Sequence, residues 1–209
     1  MTKIELRLHG VVGDDFDAAR VQTALKAGGD VTVTLNSGGG IASEGAAIYA
    51  LLAAHPGRVT VDVIGIAASA ASLIAMAGDA ITMRAGAVLM IHDPMNITVG
   101  NSSDHAKTIE ELEAYAKSYA KIYAARSGKS EKQCRELMKS ETWFDGEQAV
   151  AAGFATHTDS RQAEPFAHYN YERYRHAAPA FAAARNEKAG WKRAIMDAQA
   201  RRDAFVVRG

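Results

Sequence analysis

The chain has 209 residues, 48% of them hydrophobic and 23% charged, which fits one globular domain with an appendage and excludes a largely disordered protein. Its formal net charge of zero conceals a split: residues 161–209 carry 10 Lys/Arg against 5 Asp/Glu, and residues 1–160 carry 14 against 19. Such a small excess spread along a tail reads as a solvated surface, so neither a nucleic-acid partner nor any other strongly charged one is indicated.

In chain order, Lys3–His9 alternates apolar and polar residues as a half-buried strand does, and the Asp14-Asp15 pair opens a helical pattern through Phe16, Ala19 and Leu25. No basic segment followed by an apolar run opens the chain, so no secretory signal is expected. Val31–Leu35 repeats the strand alternation, Asn36-Ser37-Gly38-Gly39-Gly40 interrupts it, and Ile41–Ala54 is helical in period. Val59–Ile64 predicts a third strand, Ser69–Ala77 a helix of small residues, and Ala80–Met83 and Val88–Ile91 two short strands. The apolar run Val63–Gly78 falls short of the roughly 20 residues that cross a bilayer and reads as core. From Asn101 to Arg126 one long helix is expected, with Ile109, Leu112, Tyr115, Ala116, Tyr119 and Tyr123 on a single stripe. Glu131–Lys139 follows as a short helix holding the lone Cys134, which has neither a disulfide partner nor a metal-site neighbour. Asp145-Gly146-Glu147-Gln148 has the spacing of a capping box. The domain is expected to end near residue 160; beyond Thr158 there is no strand signal, only a basic, Ala- and Arg-rich tail (161–209), helical or partly disordered. Strands alternating with helices imply an α/β fold with a mostly parallel sheet covered on both faces.

Three segments could carry chemistry. Ser69, in Gly65-Ile66-Ala67-Ala68-Ser69-Ala70, follows a buried strand and opens a helix, where free backbone N–H groups and the positive end of the dipole favour a developing oxyanion. Taken alone, such a serine is more often a packing or N-cap residue. His92 ends an apolar strand in Met90-Ile91-His92-Asp93-Pro94, where a neutral imidazole could take a serine proton. Asp93, Glu141 and Asp145 are candidates to orient that imidazole. Asp93 should point to the opposite strand face, and Asp145 serves as a helix cap, which favours Glu141. The glycine loop 36–40 suits a backbone N–H donor and the docking of an extended peptide. It also suits a dinucleotide phosphate with Asp62 on a ribose, but the third fingerprint glycine would fall at Ser43 and Ser69 and His92 would be left unexplained.

Asn36-Ser37-Gly38-Gly39-Gly40, Gly65-Ile66-Ala67-Ala68-Ser69 and Met90-Ile91-His92-Asp93-Pro94, in this order and spacing, resemble the ClpP-like serine peptidases over roughly residues 3–158, and within them the head maturation (prohead) proteases of tailed phages. The resemblance implies a ClpP/crotonase-like spiral of ββα units, with Ser69 as nucleophile, His92 as base and Glu141 at the acid position. It implies the backbone N–H groups of Gly39 and Ala70 as oxyanion hole, and a substrate-docking loop at Gly38 and Gly40. Two departures stand out: the family carries aspartate at the place of Glu141 and proline at that of Gly38. The long helix resembles the family's handle element, which implies a ring-type homo-oligomer. Because the chain begins almost at its first strand, no AAA unfoldase partner is expected. The expectation is therefore a cofactor-free and metal-free serine endopeptidase in the host cytoplasm or assembling procapsid, processing scaffold or capsid precursors, with the proteolytic subunit of a Clp-type ATP-dependent protease as the alternative. A catalytically idle ring scaffold and a crotonase-type acyl-CoA enzyme are rivals of another class. A membrane-anchored signal-peptide peptidase of the same superfamily would need a lysine base and an anchor, neither of which is visible.

Overall fold

A computed structural model describes residues 3–176. Residues up to Tyr169 form one compact unit; the second begins at Asn170 and, as far as residue 176, contains one 3-10 turn, Tyr171–Arg173. Most of the expected tail lies outside the described residues.

Seven strands and six helices follow in the order β1 (Lys3–Val12), α1 (Ala18–Leu25), β2 (Asp30–Gly40), α2 (Ala42–Ala53), β3 (Val59–Ala68), α3 (Ala70–Ala75), β4 (Ala80–Ala85), β5 (Val88–Ile91), α4 (Ser102–Ser127), α5 (Glu131–Lys139), β6 (Thr142–Asp145), α6 (Gly146–Ala151) and β7 (His157–Gln162). The sheet runs β1-β2-β3-β4-β7 with every pair parallel, as expected from the alternation of strands and helices. The second half of its central strand β3 is buried on both faces: Val63, Ile64, Ile66, Ala67 and Ala68 are inaccessible or nearly so.

The geometry of β3 creates the site. Its first half, Thr60–Val63, pairs with β4, and its second half, Ile66–Ala68, leaves β4 and pairs with β5. The break falls at Gly65, where any side chain would collide with the Asn36 amide, its Cβ standing 2.6 Å from Oδ1. The end of β3 is thus turned toward β5, which pairs on its other side with the antiparallel β6, and the helix that follows starts beside β5.

Several expected boundaries move. The first helix begins at Ala18 behind the Asp17 cap, whose carboxylate accepts from Arg20 N–H, while Asp15 accepts from Val11 N–H instead of opening the helix. β7 is a strand where none was expected and crosses the anticipated domain boundary; it lies mostly exposed, so no apolar alternation marks it. Beyond it the chain continues as a strap over the sheet. Ala163 N–H bonds the Ala85 carbonyl and Glu164 N–H that of Ile64. The fully buried Asn36 side chain then grips the strap, donating to the Pro165 carbonyl at 2.9 Å and accepting from Ala167 N–H at 3.1 Å and Ile66 N–H at 3.2 Å. The strap ends with the Tyr169 ring against Gly38, where an added Cβ would stand 2.4 Å from the ring.

Helix α4 buries Ala116, Tyr119, Ala120 and Tyr123, one stripe at i, i+3, i+4, i+7, and leaves its N-terminal half exposed.

Candidate active site

Ser69 caps α3 at φ 54°, ψ −124°, outside the regions open to an ordinary L-residue. Its N–H is tied to the Met90 carbonyl of β5 at 3.0 Å and its C=O accepts from the first turn of α3, so β5 and α3 together force the turn. The Ser69 hydroxyl oxygen lies 2.6 Å from His92 Nε2. Only one other non-glycine residue among the described ones has positive φ, and it is Glu141, at 47°. Such backbone costs about 1–3 kcal/mol and collects at functional sites. Glu141 stands just past the end of α5, where a glycine would be the ordinary choice.

The β5–β6 ladder pairs Met90 with Trp143 and Ile91 with Thr142, and His92 and Glu141 are the residues next to that last pair, one just past the end of β5 and one just before β6. Both neighbourhoods hang on the same buried residue: the Met138 carbonyl accepts from Asp93 N–H and from Glu141 N–H, each at 3.1 Å. Glu141 is buried, and one of its carboxylate oxygens accepts from the Trp143 indole at 3.2 Å. The other two acids have partners of their own. Asp93 forms an ion pair with Arg135 of α5, which also holds Glu113 of α4 at 2.9 Å. Asp145 caps α6 in a capping box with Gln148.

Gly39 and Gly40 take φ of 106° and 151°, values that only glycine adopts without strain. The Gly39 N–H donates to Ser37 Oγ at 3.1 Å. Ala70 opens α3, so its N–H belongs to the first-turn donors that have no partner inside the helix. Sequence reasoning did not anticipate Asn36 as a clamp, Ser37 as the partner of Gly39, or Tyr169 over Gly38. No local pattern points to the first and last of these contacts, because they join segments about 130 residues apart, whereas the Ser37–Gly39 bond closes a local turn within the glycine loop.

The Clp protease family model matches residues 21–160, well over half of the chain. The chain belongs to the Clp protease family. The match contains the glycine loop, Ser69, His92 and Glu141. Among curated relatives, this family member is 34% identical over 129 residues to an ATP-dependent Clp protease proteolytic subunit of Streptococcus mutans, covering 60% of this chain and 66% of that one. It is 27% identical over 136 residues to the ATP-dependent Clp protease proteolytic subunit 2 of Mycolicibacterium paratuberculosis, covering 64% and 68%. The matches thus span about two thirds of these relatives' own length. Among solved structures, a point mutant of ClpP1 from Listeria monocytogenes superposes with a TM-score of 0.68 at 19% identity, over 76% of this chain and 92% of that one, which establishes the ClpP-like fold.

Proposed function

We propose that the protein is a serine endopeptidase. The reading rests on one observation above the others: a serine held at positive φ by two elements, with its hydroxyl 2.6 Å from an imidazole nitrogen. In this mechanism His92 Nε2 takes the Ser69 proton as Oγ attacks the scissile carbonyl. The backbone N–H groups of Ala70 and Gly39 receive the oxyanion, the latter leaving the Ser37 hydroxyl that holds it at 3.1 Å. The imidazolium then protonates the leaving amine, and water, activated by the same base, hydrolyses the acyl-enzyme. Glu141 steadies the imidazole from across the ladder; the engagement of Asp93 by Arg135 and of Asp145 by its helix supports that assignment.

Intact-mass spectrometry after fluorophosphonate treatment tests the proposal. A single adduct on the wild type, missing from Ser69→Ala and His92→Ala, is expected. No adduct on the wild type overturns it in favour of an idle scaffold.

The relatives' names favour a setting in which this subunit works with an ATPase, since they are proteolytic subunits of ATP-dependent Clp proteases. The head-maturation setting rests on the motif resemblance alone. Degradation of a stably folded substrate only when a Clp-type ATPase and ATP are added supports the first; cleavage of capsid or scaffold precursor without them supports the second. Self-association is part of the proposal: the exposed apolar side chains Met95, Ile97, Val99, Ile109 and Tyr115 gather on the loop after His92 and on α4 as far as its middle. Among the described residues no helix is long and apolar enough to cross a membrane, and no group of three or more His, Cys, Asp or Glu side chains is arranged to hold a metal.

A further inference from the structure

The long helix α4 reaches the Ser69 turn through a buried line of hydroxyls. Tyr123 Oη lies 2.8 Å from Ser72 Oγ, and Ser72 Oγ lies 2.7 Å from the Ser69 carbonyl oxygen. Each hydroxyl owns one proton. Since Ser72 donates its own to the Ser69 carbonyl, Tyr123 must donate to Ser72, and the line runs in one direction from α4 to the turn. Burial raises the Tyr123 phenol above its ordinary value, which keeps it a donor. Both side chains are inaccessible to solvent or nearly so. One turn earlier on the same face of α4, the Tyr119 hydroxyl donates to the Ala42 carbonyl at 2.9 Å, two residues past the glycine loop.

The target of this line is the peptide group that joins Ser69 to Ala70. In a planar trans peptide the C=O and the N–H point in opposite directions, so whatever fixes the carbonyl aims the amide. Three donors converge on that carbonyl: Ser72 Oγ at 2.7 Å, Ser72 N–H at 3.0 Å and Leu73 N–H at 3.3 Å. Hydrogen bonds on the oxygen also polarise the peptide and strengthen its N–H as a donor. A helix N-terminus supplies the two backbone bonds by itself; the hydroxyl pair adds a third, the shortest.

We propose that Ser72 and Tyr123 are positioning residues of the Ser69 site: their hydroxyls hold the Ser69–Ala70 peptide so that the Ala70 N–H faces the oxyanion, while Tyr119 holds the glycine-loop side. The inference rests on the peptidase reading for its consequence in rate, not for its geometry. Ser72→Ala removes the bond to the carbonyl and leaves the Tyr123 hydroxyl buried without its acceptor. Tyr123→Phe leaves Ser72 in place and removes only its support. The double variant takes away both hydroxyls, so no polar group is stranded and stability returns toward wild type.

The test compares thermal stability with the second-order rate of fluorophosphonate labelling at Ser69 in all four proteins. Labelling about tenfold slower in Ser72→Ala, the rate equivalent of one ordinary hydrogen bond, is expected, with the double variant equally slow despite its recovered stability. A double variant that regains both stability and labelling rate overturns the proposal, because the hydroxyls then serve packing alone. Where Ser72→Ala fails to fold, Tyr123→Phe carries the test, with labelling slower by a factor of up to about two. A wild type that is not labelled overturns the peptidase reading instead. The positioning claim is then decided by the amide proton shift of Ala70 in Tyr123→Phe, which moves upfield if the line polarises that peptide and stays in place if it does not.

Discussion

Replacing Asn36 by alanine removes the side chain that binds the strap to the sheet, and the cost follows from its partners. The amide makes three hydrogen bonds, to Ile66 N–H, Ala167 N–H and the Pro165 carbonyl, from a fully buried position. At about 1 kcal/mol net for each, the loss is about 3 kcal/mol, and more if no water enters to satisfy the three groups left behind. Against a total stability of about 5–15 kcal/mol this is a large fraction. Urea unfolding followed by circular dichroism should show a lower midpoint with an unchanged slope. Hydrogen exchange adds the local signature: the Ile66 and Ala167 amides lose protection well beyond that of Val61 in the same protein. A loss below about 1 kcal/mol, with Ala167 still protected, would refute the view that Asn36 is the clamp.

Glu141→Gln should lower kcat/KM by roughly 10³–10⁴-fold in a peptidase assay if this carboxylate orients His92. Asp145→Ala should cost about 1 kcal/mol of stability through loss of the α6 cap and leave kcat/KM as it was. Gly38→Ala should destabilise by about 1–3 kcal/mol through collision with Tyr169, and a double-mutant cycle with Tyr169→Ala should return most of that as coupling. Cys134, buried and with its thiol pushed up by that burial, should resist iodoacetamide at mildly alkaline pH in the folded protein and react once urea unfolds it.

The parallel sheet was legible because β1, β2 and the first half of β3 alternate and the second half of β3 is continuously apolar, patterns set by which faces are covered. β7 was not: both of its faces meet solvent along most of its length, and its place is set by pairing with β4, which composition does not express. The closeness of Ser69 and His92 could be anticipated because each ends a strand of the same sheet. Among the acids, Asp93 and Asp145 were set aside on local grounds, strand alternation and helix capping, and the structure gives both of them other partners. That His92 and Glu141 fall at the same end of the β5–β6 ladder depends on its register, which pairs segments far apart in the sequence and leaves no local pattern. The Ser72–Tyr123 contact escaped for a related reason. Tyr123 was read as one more apolar stripe residue of α4, and Ser72 as one more small residue of α3, since only their packing reveals a partner for each hydroxyl.

The strap also sets a timetable for biosynthesis. Asn36 is made early, yet its bond to Ala167 spans 131 positions of sequence. At about 5–20 residues per second, a ribosome needs roughly 7–26 s to travel that distance, and longer before the segment clears the exit tunnel. Through that interval the glycine loop lacks the clamp beside it and the ring that covers Gly38. A nascent chain therefore carries Ser69 and His92 long before the segment that completes the edge of the glycine loop has been made.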